Sequence, residues 1–190
     1  MVTRLATKDD MPGLLDLQEM NLFDNLVESE KVDGFVTTRF TIIQLKELLN
    51  RRGLFVAEDE GKILGYTMAA GWDYFSQWPI FPYMISRLSG SIFNGTKISV
   101  QNTFQYGPIC VHSSLRGTDT FPRLFDAMRS ELSSRYPVGM TFINKANERS
   151  YAAHIGKIGM VVVDEFEFSG REYYGLAFDT AQPVRIKCRR

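Results

Sequence analysis

Cysteine and histidine are scarce in this chain, with two of each in 190 residues. Cys110 lies in an apolar run and Cys188 near the end, so there is no disulfide framework. Both thiols are expected to be free in a reducing, cytoplasmic setting. So few ligating side chains form no cluster with metal spacing, and no metal is expected. Neither sign of charge is in excess, since Lys+Arg and Asp+Glu both number 22. That balance lacks the basic footprint of a nucleic-acid-binding domain, so no nucleic acid is expected as a partner. Arg185 to Arg190 form a basic C-terminal tail after Pro183, read as solvated. No apolar run approaches a membrane span, and Met1-Val2-Thr3-Arg4 does not begin a signal peptide, so no membrane is expected either. Internal repeats and linkers are also missing. A chain of this length with 44% hydrophobic residues is read as a single domain, 1–190, with one core.

What is present is a sequence of alternating periods. Val2 to Ala6 suits a strand. Thr7 and Asp10 resemble a capping box with Asp in place of Glu, ahead of a helix carrying Met11, Leu14, Leu15 and Leu22. Residues 25–40 read as loop, 41–51 as a helix that stops at Gly53. Leu54 to Glu58 and Ile63 to Ala70 are strands joined by a turn at Asp59-Glu60-Gly61-Lys62. A strand at Phe104 to His112 precedes a helix whose apolar face is Phe121, Leu124, Phe125, Met128 and Leu132. Gly139 to Asn144 is a strand and Asn147 to Ile158 a helix. Val161 to Phe168 and Arg171 to Asp179 form a hairpin about Ser169-Gly170. This order implies an α/β (α+β) fold with a partly antiparallel sheet and helices on its faces.

Between the third strand and the strand at 104 lies an insert, 71–102, rich in aromatic residues: Trp72, Tyr74, Phe75, Trp78, Phe81, Tyr83 and Phe93. Its Phe81–Leu88 part has helical spacing. A connection this long is often functional. Three readings are open for it: an apolar wall for a substrate, a satellite hydrophobic cluster, or the face of a homodimer.

The junction Val111-His112-Ser113-Ser114-Leu115-Arg116-Gly117-Thr118-Asp119-Thr120-Phe121 carries the most chemistry. A strand that runs through small residues into a helix leaves N–H groups unpaired at the positive end of the helix dipole. Such a turn can hold a phosphate or pyrophosphate. In the competing reading, Asp119 or Thr120 only caps the helix.

The junction resembles the acyl-CoA pyrophosphate loop of the GNAT N-acetyltransferase superfamily. Arg4-Leu5-Ala6-Thr7 with Asp10, Phe55 to Glu58 with Ile63 to Tyr66, and Asn147-Glu148-Arg149-Ser150 with His154 and Gly159-Met160 resemble further parts of that family, in order. The resemblance covers nearly the whole chain outside the insert. It implies the GNAT fold, a mixed, largely antiparallel sheet splayed between the family's fourth and fifth strands, with acetyl-CoA as co-substrate. It also implies acetyl transfer to a primary amine of a small molecule or peptide. Two departures stand out. Asp119 and Phe121 occupy positions where the family usually has glycine, or glycine or alanine. One extra residue lies between His154 and Gly159.

By the resemblance, the backbone at Ile109 and Val111 pairs with pantetheine. Arg116, Gly117, Thr118, Asp119, Thr120 and Phe121 surround the pyrophosphate, and Asn147 and Ser150 add polar contacts. His154 stands where the family often has a tyrosine that protonates the leaving thiolate, and Tyr151 is the alternative acid. Trp72, Tyr74, Phe75 and Trp78 would line the acceptor site. Each residue also has a plainer reading: core side chains for Ile109 and Val111, capping for Asn147 with Ser150, a hydrogen-bonded helix histidine for His154. No general base stands out among Glu58, Asp73 and Glu165. A non-catalytic acyl-CoA-binding module, or a domain that binds no cofactor, therefore competes with an enzyme.

Overall fold

The computed structural model describes residues 1–31 and 34–186. In chain order it contains β1 (Val2–Leu5), α1 (Met11–Asn21), α2 (Glu28–Lys31), α3 (Ile42–Asn50), β2 (Leu54–Asp59), β3 (Lys62–Ala70), α4 (Trp72–Phe75) and α5 (Ile80–Leu88). There follow β4 (Ile92–Phe93), β5 (Thr96–Lys97), β6 (Thr103–Val111), α6 (Thr120–Leu132), β7 (Val138–Asn144), α7 (Glu148–Ala153), β8 (Val161–Phe168) and β9 (Arg171–Asp179). The architecture is mixed α/β, with a largely antiparallel sheet flanked by helices, as the element order implies. Among the described residues no helix is long and apolar enough to cross a membrane. Cys188 and the end of the basic tail lie outside the described residues.

The chain folds as two compact units. The first comprises Met1–Ala69, Gly107–Arg129 and the described residues from Val184 onward. Here β1, β2 and β3 form an antiparallel meander, and the His112 N–H beyond β6 donates to Leu64 O. The expected Thr7–Asp10 motif is present: the Asp10 carboxylate accepts from the Thr7 N–H and hydroxyl and takes Arg4 in a two-pronged pair at 2.7 and 2.9 Å. The Arg4 hydrogen bond holds this carboxyl below its ordinary pKa. Helix α6 packs closely on the sheet because β3 has no side chain at Gly65. A Cβ there would stand 3.4 Å from Leu124 Cδ2 and 3.3 Å from Ala57 Cβ.

Within the segment expected to be loop, 25–40, Glu28–Lys31 is instead the short helix α2, and Val36 and Phe40 are held by α1. Gln18, fully buried, accepts from Phe40 N–H through Oε1 at 2.9 Å and donates to Phe40 O through Nε2 at 3.0 Å. The Asn21 carbonyl takes the Val36 N–H. Buried backbone groups need partners, and α1 supplies them where no strand runs alongside. Thr41 then caps α3 with Gln44 as its reciprocal partner.

The second unit comprises Ala70–Tyr106 and Ser130–Pro183. Strands β7, β9 and β8 are antiparallel neighbours, and β6 pairs with β7 in parallel over Thr103–Gln105 and Val138–Met140. This short ladder ends while β6 runs on to Val111 and β7 to Asn144. The aromatic insert folds as α4, α5 and the β4–β5 hairpin. Phe81 of α5 packs edge-on against Phe142 of β7, Tyr83 meets Phe166 and Phe168 of β8, and Arg87 forms a two-pronged pair with Asp164 at 2.6 Å.

The helix expected over 147–158 changes character part-way. Helix α7 ends at Ala153, and His154–Ile158 is a π-turn closed by Gly159 at φ 80°. A π-turn holds one more residue than an α-turn of the same span. It absorbs the extra residue noted between His154 and Gly159.

Candidate functional site

In the first unit, β6 ends in a turn tightened by local hydrogen bonds. His112 Nδ1 accepts from Ser114 Oγ at 2.8 Å and from Ser114 N–H at 3.3 Å. The N–H groups of Leu115, Arg116 and Thr118 close on the carbonyls of His112, Ser113 and Leu115. Gly117 sits at φ 81°, a conformation that favours glycine, and a Cβ there would meet nothing within 4 Å. Glycine is thus needed for its backbone angle, and the surface above it is open.

The N–H of Thr120, the first residue of α6, is taken by Thr118, which the capping reading did not name. Thr118 Oγ1 accepts from Thr120 N–H at 3.2 Å and donates to Leu115 O at 2.6 Å. Asp119 contributes its carbonyl to the first helical bond, from Arg123 N–H. Among the described residues, no acceptor meets the N–H of Gly117 or Asp119, so two donors stand open at the positive end of α6. The Asp119 carboxylate belongs to the same turn and opposes an anion placed there. Pro122 is buried and brings no N–H; Phe121 is half-buried.

Arg116 does not extend freely from this loop. Its guanidinium donates to Asn21 Oδ1 at 3.2 Å, at the end of α1. Ile109 and Val111 of β6 are half-buried, and Cys110 between them is buried. Burial pushes the Cys110 thiol up to about 12, with Arg116 pulling weakly the other way, so it stays protonated and inert.

In the second unit, Asn147 Oδ1 accepts from Ser150 N–H at 3.2 Å and caps α7, as its plainer reading held. His154 is 4% exposed. Its Nδ1 lies 2.7 Å from Ser150 O and its Nε2 3.0 Å from the hydroxyl of Tyr106, which is fully buried. A carbonyl oxygen only accepts, so Nδ1 carries the proton, and Nε2 of the neutral ring accepts from Tyr106. Burial lowers the imidazole pKa to about 4, against the opposing effect of the Ser150 carbonyl. The ring is neutral at pH 7, and Nε2 has no proton to give. The geometry therefore favours the plainer reading of His154, a hydrogen-bonded core histidine, over the proton donor. Tyr106 was missed because it lies 48 residues from its partner, and nothing in local spacing marks it. Tyr151 is half-buried with its ring 4.5 Å from that of Tyr174.

The four insert aromatics do not stand as a wall. Trp72, Tyr74 and Phe75 are buried, and the Trp72 indole N–H is taken by Thr103 Oγ1 at 2.8 Å. Tyr74, Phe75, Trp78 and Phe81 pack on one another with centroids 4.9 to 6.1 Å apart. Three of the four expected acceptor contacts are thus core, because each ring removes more apolar surface from water by facing its neighbours. Only Trp78 keeps a half-exposed face.

No protein-family model matches the chain, and no curated protein matches it in sequence. Solved structures do match in fold. A ribosomal-protein-alanine N-acetyltransferase from Brucella melitensis aligns at 18% identity over 94% of this chain and 99% of its own, with a TM-score of 0.62. The protein yncA from Salmonella typhimurium, solved with its cofactor acetyl-CoA, aligns at 16% identity over 96% of both chains, with a TM-score of 0.63. An N-acetyltransferase from Staphylococcus aureus Mu50 aligns at 17% identity over 94% of this chain and 98% of its own, at 0.61. The chain has the GNAT fold that these proteins share.

Proposed function

We propose that this chain is an N-acyltransferase that moves an acetyl group from acetyl-CoA to a primary amine by direct transfer. The observation that carries the reading is the pair of open N–H groups, Gly117 and Asp119, where β6 turns into α6. Donors left without partners at a helix start suit the pyrophosphate of a coenzyme A thioester. The backbone of β6 at Ile109 and Val111 would take the pantetheine amides in the manner of a neighbouring strand. When bound, acetyl-CoA supplies a thioester whose acyl carbon an amine nitrogen attacks, with the thiol as leaving group. The chain's part is to hold the two reactants in register, and that alone supplies much of the rate. Tyr151, half-buried on α7, takes the place of His154 as the candidate proton donor to the thiol. The acceptor is a small-molecule or peptide amine, and the setting is the reducing cytoplasm in which the Cys110 thiol stays free.

Two observations favour a second reading, a non-catalytic acyl-CoA-binding module. Asp119 places a carboxylate in the phosphate turn, and His154 is locked in the core. Calorimetric titration with CoA, followed by thiol release from acetyl-CoA against a panel of amines, separates the two. Amine-dependent release supports the transferase. CoA binding without release supports the module. No CoA binding overturns both.

A further inference from the structure

Arg116 and Asn21 are 95 residues apart in sequence and meet within the first unit. Asn21 is the last residue of α1 and is 7% exposed. Its amide orientation is set from within the helix, because Nδ2 donates to Leu17 O at 2.8 Å. Oδ1 is thereby turned outward and accepts from the Arg116 guanidinium at 3.2 Å. The Asn21 backbone is committed as well, since its carbonyl takes the Val36 N–H. Asn21 is thus a fixed post, and the side chain tied to it belongs to the residue immediately before Gly117.

We infer that Asn21 is a positioning residue of the phosphate turn. Its bond to Arg116 pins the 3-10 turn Ser113–Leu115 and the Gly117 bend to α1, so that the Gly117 and Asp119 N–H groups are held in a fixed direction before any ligand arrives. The geometry makes Arg116 an anchor of the loop first, and a counter-charge for phosphate only second. A charged donor to a buried amide oxygen is among the stronger single hydrogen bonds available to hold a short turn. Preorganised donors bind an anion more tightly than donors that must first be ordered. The ligand side of this inference rests on the acetyl-CoA reading; the anchoring side does not.

Two variants and two readouts test it. Asn21→Ala removes both side-chain bonds. Asn21→Asp keeps an acceptor for Arg116 and gives up the donor to Leu17 O. Hydrogen exchange of the Leu115, Arg116 and Thr118 amides reads the turn without ligand. In N21A these amides should exchange several-fold faster, and in N21D at close to the parent rate. In calorimetry, N21A should bind CoA about fivefold more weakly and leave pantetheine, which lacks phosphate, unchanged, while N21D stays within about twofold of the parent. Unchanged exchange in N21A, or equal losses for CoA and pantetheine, would overturn the inference. If the parent protein binds no CoA, the functional reading falls, and the exchange data alone decide the anchor.

Discussion

The turn between β6 and α6 in the first unit and the surroundings of His154 in the second treat their polar groups in opposite ways. In the second, His154 spends Nδ1 on Ser150 O and Nε2 on the Tyr106 hydroxyl, and Trp72 spends its indole N–H on Thr103. Those groups are buried and satisfied. In the first, the turn between β6 and α6 is just as well built, yet it leaves the Gly117 and Asp119 donors open over a surface where an added Cβ meets nothing. A polar residue on a suggestive motif is therefore a weaker guide to ligand binding than a polar group left without a partner. Buried polar groups seek partners inside the fold, and those that find them are no longer free for chemistry.

The comparison breaks most directly at His154. Replacing it with Phe removes the imidazole bonds to the Tyr106 hydroxyl and the Ser150 carbonyl, the latter keeping the backbone N–H of residue 154, at an expected cost of roughly 1–3 kcal/mol in thermal or denaturant unfolding. His154→Gln keeps an acceptor and a donor in similar places and should recover much of that stability. It should also retain turnover within about twofold of the parent, since the ring it replaces carries no transferable proton. A His154→Gln protein of parental stability that loses turnover would return His154 to a catalytic role.

The same histidine gives a pH signature. Unfolded, it titrates near its ordinary 6.5, and folded at about 4. Between those values the unfolded chain binds the extra proton, so this contribution to stability is complete above pH 6.5 and is lost as pH falls towards 4. It amounts to on the order of 3 kcal/mol. Denaturant midpoints measured from pH 7 to pH 4 should fall for the parent and stay flatter for His154→Gln.

A smaller effect sharpens the other half of the comparison. Asp119→Gly removes the carboxylate that opposes an anion at the open donors, and CoA affinity should rise about tenfold, most at low ionic strength. An unchanged dissociation constant would mean that the carboxylate points away or that phosphate binds elsewhere. The smallest effect is expected at Trp78, the one expected wall residue with an exposed face. Trp78→Ala should raise the acceptor KM about two- to threefold and leave that for acetyl-CoA unchanged. A collapse in stability instead would place Trp78 with the rest of the buried cluster.

Most of the fold was legible because its signals are local. The Thr7–Asp10 motif, the period of α6 and the glycine turns at Gly61 and Gly170 all act within a few residues, and each element formed where its pattern lay. The candidate site was legible only in outline. The loop could be found from residue types, but its capping by Thr118 and the tie of Arg116 to α1 depend on tertiary placement. The partner of His154 comes from β6, and nothing near residue 154 announces it. The surplus residue before Gly159 was visible in the spacing, but only the π-turn shows how the backbone accommodates it. The insert stayed open between three readings for a related reason. Aromatic content marks a need for burial, and the sequence does not say whether a substrate or the chain's own sheet meets that need.

The buried pair between Gln18 and Phe40 has a consequence for which sequences this fold can tolerate. A primary amide is the one side-chain group that presents a donor and an acceptor side by side, as a peptide unit does. Asparagine has the group on a stem too short by one carbon. Glutamate has the length but offers no donor when ionised, and leucine or methionine fills the space and leaves both backbone groups of Phe40 unmet. Position 18 should therefore accept almost no replacement, although it lies outside the phosphate turn and takes no part in the Asn21 anchor. A survey of all substitutions there, scored for soluble folded protein, should show a single permitted letter at a place where catalysis gives no reason to expect one.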